Sequence, residues 1–145
     1  MFSKIASTLG AAVVVGGAML GITAPAHAES APGCGPVTQI GSTAYITSGG
    51  NNIGSVKQFK GCGKNWGYIY VWESFRQRGL DWYLLAAVDV NPGPRNVFQG
   101  GTTNVDSVTE LWSTGTDTLS DCTAGYGLIS VVGYDHYSAM TDTRC

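Results

Sequence analysis

Glu73 is one of two residues in this sequence with surroundings suited to catalysis. It follows the apolar stretch GYIYVW, and a carboxyl group among apolar neighbours can act as a general acid. Hydrolysis of a glycosidic bond also needs a second carboxylate across that bond, and the acidic residues show no such pairing pattern. We therefore expect Glu73 to lie near the end of a strand and to pair with Arg76 or Arg78. A small extracellular hydrolase acting on cell-wall or polysaccharide substrates is the alternative function.

His136 is the second candidate, as a base that activates Ser130 or Ser138. The neighbouring Asp135 cannot orient it within a strand, because adjacent strand residues point to opposite faces. The G-x-S-x-G motif of serine hydrolases and the H-E-x-x-H motif of zinc enzymes are both absent. The sequence therefore favours a protein without catalytic residues, metal ligands or cofactor, with His136 in a turn or on the surface.

A run of aromatic residues points to binding instead of catalysis. In a strand from Gly67 to Arg76, the side chains of Tyr68, Tyr70 and Trp72 share one face because the side-chain period is two. That face is either core or an exposed surface on which a sugar or a protein side chain stacks. Trp66 is predicted in a turn, where its indole stays in water. The candidate ligand-binding residues are Trp66, Tyr68, Tyr70 and Trp72, with Trp112 as a further candidate.

Short apolar or alternating segments separated by turn residues predict the elements that position these side chains. No window has the repeat of an amphipathic helix. A Gly/Asn turn at 48–52 joins two of the segments into a hairpin. The predicted strands are 43–47, 53–59, 67–76, 82–90, 96–99, 107–113 and 128–134. Evenly spaced short strands predict an all-β fold, a small antiparallel β-sandwich or barrel.

The four cysteines, Cys34, Cys62, Cys122 and Cys145, predict two disulfides, because an even number in a small exported chain is typical of an oxidising compartment. They allow three pairings. We favour Cys34–Cys62 and Cys122–Cys145, since each closes a short loop that can contain a hairpin. The paired C-x₂₋₄-C spacing of a structural zinc site is absent.

The first residues have the order of a secretory signal peptide. Lys4 precedes an apolar run, and Ala26-His27-Ala28 supplies the small residues that signal peptidase requires. We predict a signal peptide over residues 1–28 and a single β domain over residues 29–145, with the tail before Cys34 loose. No later stretch approaches the ~20 apolar residues of a membrane span. The predicted location is extracellular.

The charge balance bears on the partner. Eight Lys and Arg residues stand against ten Asp and Glu residues, a formal net charge of −2. Without a basic tract there is no electrostatic basis for binding nucleic acid. We expect a monomer whose partner is an extracellular protein or a polysaccharide.

One segment resembles a known group of proteins. Ile53 to Phe59, followed by Cys62 and by Asn65-Trp66, is similar to a motif of short secreted actinobacterial proteins classed as a domain of unknown function. In that motif a Gly-x-Val strand leads to an aromatic residue and then to a cysteine closely followed by a tryptophan. The resemblance implies an exported small β domain and no catalytic residues. The predicted function is a non-catalytic binding module or inhibitor, and a cell-surface structural protein is a further alternative.

Overall fold

A computed structural model describes residues 29–145, and the predicted signal peptide lies outside this range. No helix within it is long and apolar enough to span a membrane. One short helical turn, α1 (Glu73–Arg76), accompanies the strands. The strands are β1 (Ser30–Ala31), β2 (Gly35–Pro36), β3 (Thr38–Ser48), β4 (Asn51–Gly61), β5 (Lys64–Val71), β6 (Trp82–Val90), β7 (Phe98–Asn104), β8 (Glu110–Trp112), β9 (Thr123–Val131) and β10 (His136–Met140).

Two four-stranded antiparallel sheets face each other. The first sheet has the order β3-β4-β5-β8 and the second has the order β10-β9-β6-β7. Their spacing depends on glycines at the interface: a Cβ on Gly67 would lie 2.2 Å from the carbonyl oxygen of Ala87, and one on Gly127 would lie 2.6 Å from a methyl of Val56. The prediction of an antiparallel all-β fold is confirmed, and the β-sandwich is the form it takes.

Alternation along the strands fills the space between the sheets with apolar side chains, as expected for two packed layers. In β5 the inward positions include Ile69 and Val71, and in β6 they include Leu84 and Ala86. Burying a Leu, Ile or Val side chain stabilises the fold by about 1.5–3 kcal/mol. The core consists of Ile46, Ile53, Val56, Ile69, Val71, Phe75, Trp82, Leu84, Ala86, Ile129 and Val131.

Both favoured disulfides are present. Cys34–Cys62 joins the segment between β1 and β2 to the β4–β5 turn, and Cys122–Cys145 joins the start of β9 to the C-terminus. The prediction of a loose tail before Cys34 is wrong. Residues 29–37 form a small hairpin in which the Val37 N–H donates to the Glu29 carbonyl at 2.8 Å. We call residues 29–37 the N-terminal hairpin.

The strand predicted from Gly67 to Arg76 is too long. It ends at Val71, and the Phe75 and Arg76 N–H groups donate to the Trp72 carbonyl at 3.0 and 3.1 Å. A continued strand would place Glu73 on the inward face with Val71, burying a carboxylate at high cost. The helical turn instead inserts Phe75 into the core and leaves Glu73 exposed.

Other element boundaries also differ from the predictions. The predicted break at Gly100-Gly101 lies inside β7, where a register shift against β6 between Ala86 and Val88 accommodates one extra residue. β8 is shorter than predicted, and β9 begins five residues earlier, at Thr123. Beyond the predicted strands the structure contains β10, which pairs with β9 and begins at His136. The ends of each strand depend on its pairing partners, which are distant in sequence. Local sequence patterns therefore do not predict where a strand begins or ends.

Candidate functional site

The outer face of the first sheet carries a concentration of aromatic side chains. The register places Lys57, Tyr68 and Trp112 in one row across β4, β5 and β8. Directly paired residues of an antiparallel sheet point to the same side, so the aromatic rings of neighbouring strands meet. We call this surface the aromatic face; it consists of Tyr45, Phe59, Trp66, Tyr68, Tyr70, Trp72 and Trp112.

The N-terminal hairpin covers one part of the aromatic face. Ala31 and Val37 pack with Phe59, Trp66 and Tyr68 in a second buried cluster, separate from the core between the sheets. Trp66 is only 7% exposed, and its indole N–H donates to the Gly61 carbonyl at 3.1 Å. The prediction that Trp66 stays in water is therefore wrong: it lies inside β5, which begins at Lys64, and the folded-back N-terminus shields it.

The other part of the aromatic face remains accessible. Tyr45 is 54% exposed and meets Trp72 edge to face with ring centroids 5.8 Å apart. Tyr70 is half-buried and lies in the same row across the sheet as Tyr45, with Ser55 of β4 between them. Of the predicted binding residues, the structure thus leaves Tyr70, Trp72 and the further candidate Trp112 partly exposed, and it buries Trp66 and Tyr68. Sequence reasoning missed Tyr45, whose only signal was its place in the strand that pairs with 53–59.

Trp112 lies between two adjoining clefts. One has a volume of about 480 Å³; the other, of about 270 Å³, is smaller. Glu110 also lines both, so a carboxylate accompanies the indole. The larger cleft is lined by Pro32, Trp66, Thr102, Glu110, Leu111, Trp112, Ser113 and Thr114, and the smaller by Glu29, Ser30, Tyr68, Glu110 and Trp112.

Charged and polar groups are fixed around these clefts. The Tyr68 hydroxyl donates to Oε2 of Glu110 at 2.5 Å, and Lys57 forms an ion pair with Glu29. Burial raises the pKa of Tyr68 well above its ordinary value, and the hydrogen bond and negative charge of Glu110 raise that pKa further. Tyr68 is therefore a neutral donor that holds the Glu110 carboxylate beside Trp112. This arrangement can orient a ligand that carries both an apolar surface and hydrogen-bond donors.

His136 lies on the outer face of the second sheet. It pairs with Ser130, which pairs in turn with Tyr83, and all three line an apolar cleft of about 420 Å³. The expectation of a surface position holds, although the residue belongs to a strand and not to a turn. The ion pairs among residues 29–145 join Lys57 to Glu29, Lys64 to Asp117 and Arg144 to Asp142, so none orients His136.

Glu73 does not form the predicted pair with Arg76 or Arg78. Its Oε1 accepts a hydrogen bond of 3.1 Å from Gln77 one helical turn later, and the Arg76 Nε donates to the Val71 carbonyl. Because residues 73–76 form a helical turn and not a strand, the Arg76 side chain contacts the end of β5. Glu73 is exposed and apart from the clefts around Trp112.

A cleft of about 410 Å³ with polar and apolar lining lies near the β4–β5 turn, with Lys60, Asp121 and Arg144 among its lining residues. Asn65 also lines it and is buried, with its amide N–H₂ donating to Thr118. Within the described part of the chain, no group of three or more His, Cys, Asp and Glu residues is placed to hold a metal ion.

Comparisons of the chain with protein-family models, with curated proteins and with solved structures find no match.

Proposed function

We propose that this protein is an extracellular, non-catalytic binding module, or an inhibitor, that engages its partner through the aromatic face. The observation that carries the proposal is the accessible part of that face. Tyr45, Trp72 and Tyr70 present aromatic surface, and Trp112 lies between two clefts beside the carboxylate of Glu110. Aromatic anchors next to positioned polar groups are typical of binding surfaces.

Rigidity supports the same proposal. The aromatic residues are carried mainly by paired strands, and Cys34–Cys62 fixes the N-terminal hairpin beside them. A preorganised surface loses little conformational entropy on binding, so more of the contact energy appears as affinity. Tyrosine and tryptophan have few rotatable bonds and contribute large contact areas at a low entropic cost.

Acrylamide quenching of tryptophan fluorescence tests the proposal. Trp66 and Trp82 are buried, whereas Trp72 and Trp112 are partly exposed, so the quenchable emission should come from the latter two. A panel of extracellular polysaccharides and hydrolases is added to the wild-type protein and to Trp72→Phe and Trp112→Phe. Protection by a panel member, reduced in one of these variants, supports the proposal. If no member protects either indole, the proposal fails and a structural role is favoured.

A second candidate function is hydrolysis of a polysaccharide. Glu29 and Glu110 line the same cleft as Tyr68 and Trp112, and glycoside hydrolases use a pair of carboxylates that flank the scissile bond. Release of reducing ends from the same polysaccharides tests this candidate. The activity should fall by a factor of at least about 100 in Glu110→Gln, because general acid–base groups contribute about 10²–10⁴ in rate. Turnover that persists unchanged in that variant excludes this site.

A further inference from the structure

We infer that the partner is an extended polypeptide segment that adds as a strand to the free edge of β8, next to Trp112. This inference rests on the proposed binding function and specifies its partner. β8 ends the first sheet and pairs only with β5, so its other side has no paired strand among residues 29–145. A free strand edge presents main-chain donors and acceptors that another chain can match.

The register identifies which main-chain groups are free. The Val71 N–H donates to the Thr109 carbonyl and the Ser113 N–H donates to the Gly67 carbonyl, both at 2.8 Å. In an antiparallel ladder these bonded positions alternate with positions whose N–H and C=O groups face away from the partner strand. Leu111 therefore bonds to β5, whereas the N–H and C=O groups of Glu110 and Trp112 face the open side.

Thr114 follows Glu110 and Trp112 in the alternation, so its main-chain groups also face away from β5 and show what lies on that side. Its N–H donates to the Gly100 carbonyl of β7 at 2.8 Å and joins the edges of the two sheets at that position. No main-chain hydrogen bond among residues 29–145 joins β7 to Glu110 or Trp112, and the larger cleft lies there, with Thr102 of β7 and Glu110 to Thr114 among its lining residues. The cleft thus lies beside the hydrogen bond that joins β7 to Thr114, two residues after the end of β8.

The side chains along this edge specify the segment. A strand added to β8 would direct alternate side chains to opposite faces of the first sheet. On the aromatic face they would meet Trp112 and the carboxylate of Glu110, which favour a basic residue with an apolar stem; the Glu29 carboxylate is already paired with Lys57. On the inward side they would meet Leu111 and Thr102, which favour a small aliphatic residue. A polysaccharide lacks the alternating main-chain donors and acceptors that this edge matches.

Amide hydrogen exchange of the free protein tests whether the outer edge of β8 is unpaired. We expect slow exchange at Leu111, Ser113 and Thr114, whose N–H groups are hydrogen-bonded, and exchange at least tenfold faster at Glu110 and Trp112. Equal protection at all five amides would show that the edge is already paired and would overturn the inference before any ligand is used.

A library of eight-residue peptides displayed on phage supplies the ligand. Peptides that bind the wild-type protein are kept, and those that also bind the Thr102→Trp variant, in which an indole fills the larger cleft, are removed. Thr103→Trp is the matched control, because Thr103 lies on the same strand but faces the opposite side, along the second sheet. We expect selected peptides to bind the wild-type protein and Thr103→Trp equally, and Thr102→Trp at least tenfold more weakly.

N-methylation of each amide in a selected peptide then distinguishes strand addition from other modes. A methyl group on an amide that donates to β8 should abolish binding, whereas one on the alternate amides should be tolerated, giving a period of two. Binding should also slow exchange at Glu110 and Trp112. Loss of binding without that period, or failure to select any peptide that needs the cleft, overturns strand addition. If polysaccharides or hydrolases still protect Trp112 from acrylamide, the proposed binding function stands even though strand addition is overturned.

Discussion

The outer faces of the two sheets differ in what surrounds their aromatic residues. On the first sheet, Phe59 and Tyr68 lie under the N-terminal hairpin, and the accessible rings adjoin the fixed carboxylate of Glu110. On the second sheet, Phe98 lies against Tyr126 with centroids 4.4 Å apart, and Phe98 is 45% exposed while Tyr126 is partly exposed. Exposed apolar residues are common on protein surfaces. The convergence of aromatic, acidic and main-chain groups distinguishes the first face as a candidate site.

The largest expected difference between the two faces is in packing. Phe59→Ala should lower the free energy of unfolding by about 3–5 kcal/mol, because Phe59 is 2% exposed and its removal leaves a cavity under the hairpin. Phe98→Ala should cost about 1 kcal/mol, since Phe98 is 45% exposed and loses mainly its contact with Tyr126. Chemical denaturation measures both values. Similar losses would contradict a covered aromatic face.

The two disulfides should affect the faces differently. Their cysteines are 28 and 23 residues apart, so the loop-closure model gives each bridge a similar stabilisation of about 3–4 kcal/mol. Replacing Cys34 and Cys62 by Ser should also release the hairpin and increase acrylamide quenching through Trp66. The same replacement of Cys122 and Cys145 should lower stability without that increase. An equal increase in both variants would mean that the hairpin does not shield Trp66.

Stability at high pH should depend on the first face through Tyr68. Its pKa in the folded state is raised above the unfolded value of about 10, so its stabilising contribution is complete below pH ~10 and is lost as the pH rises further. Tyr68→Phe should cost about 1.5–3 kcal/mol at neutral pH by removing a hydrogen bond to a charged group, and should flatten the decline above pH ~10. Tyr134→Phe, at an exposed position, is the control. Denaturation across the alkaline range would refute the assignment if the Tyr68→Phe curve stayed as steep as wild type.

The smallest effect is expected for the ion pair between Glu29 and Lys57. Both side chains are about a quarter exposed, and partly solvated pairs contribute about 0.2–1 kcal/mol. Glu29→Gln should therefore lower stability by no more than about 1 kcal/mol, with the difference decreasing at high salt. A larger loss would show that this pair, more than the apolar contacts of Ala31 and Val37, attaches the hairpin to the aromatic face.

The sequence predicted part of the candidate site because strand alternation is a local property. It grouped Tyr68, Tyr70 and Trp72 on one face, and the structure places all three on the aromatic face. It could not predict that Trp66 is covered, because the covering residues belong to a hairpin that folds back across β4 and β5. The larger cleft beside Trp112 likewise requires β7 and the segment that follows β8, both distant from the aromatic stretch in sequence, to meet at Gly100 and Thr114.

By itself, the sequence determined the class of the fold. Its period of two, its turn residues and its even number of cysteines predicted an antiparallel β protein with two disulfides, and these are short-range properties of the chain. Only the tertiary structure decided which aromatic residues are accessible, which strands lie at the sheet edges and which carboxylates adjoin Trp112. These depend on how segments far apart in sequence compete to cover apolar surface and to pair main-chain groups, and no local pattern records that competition.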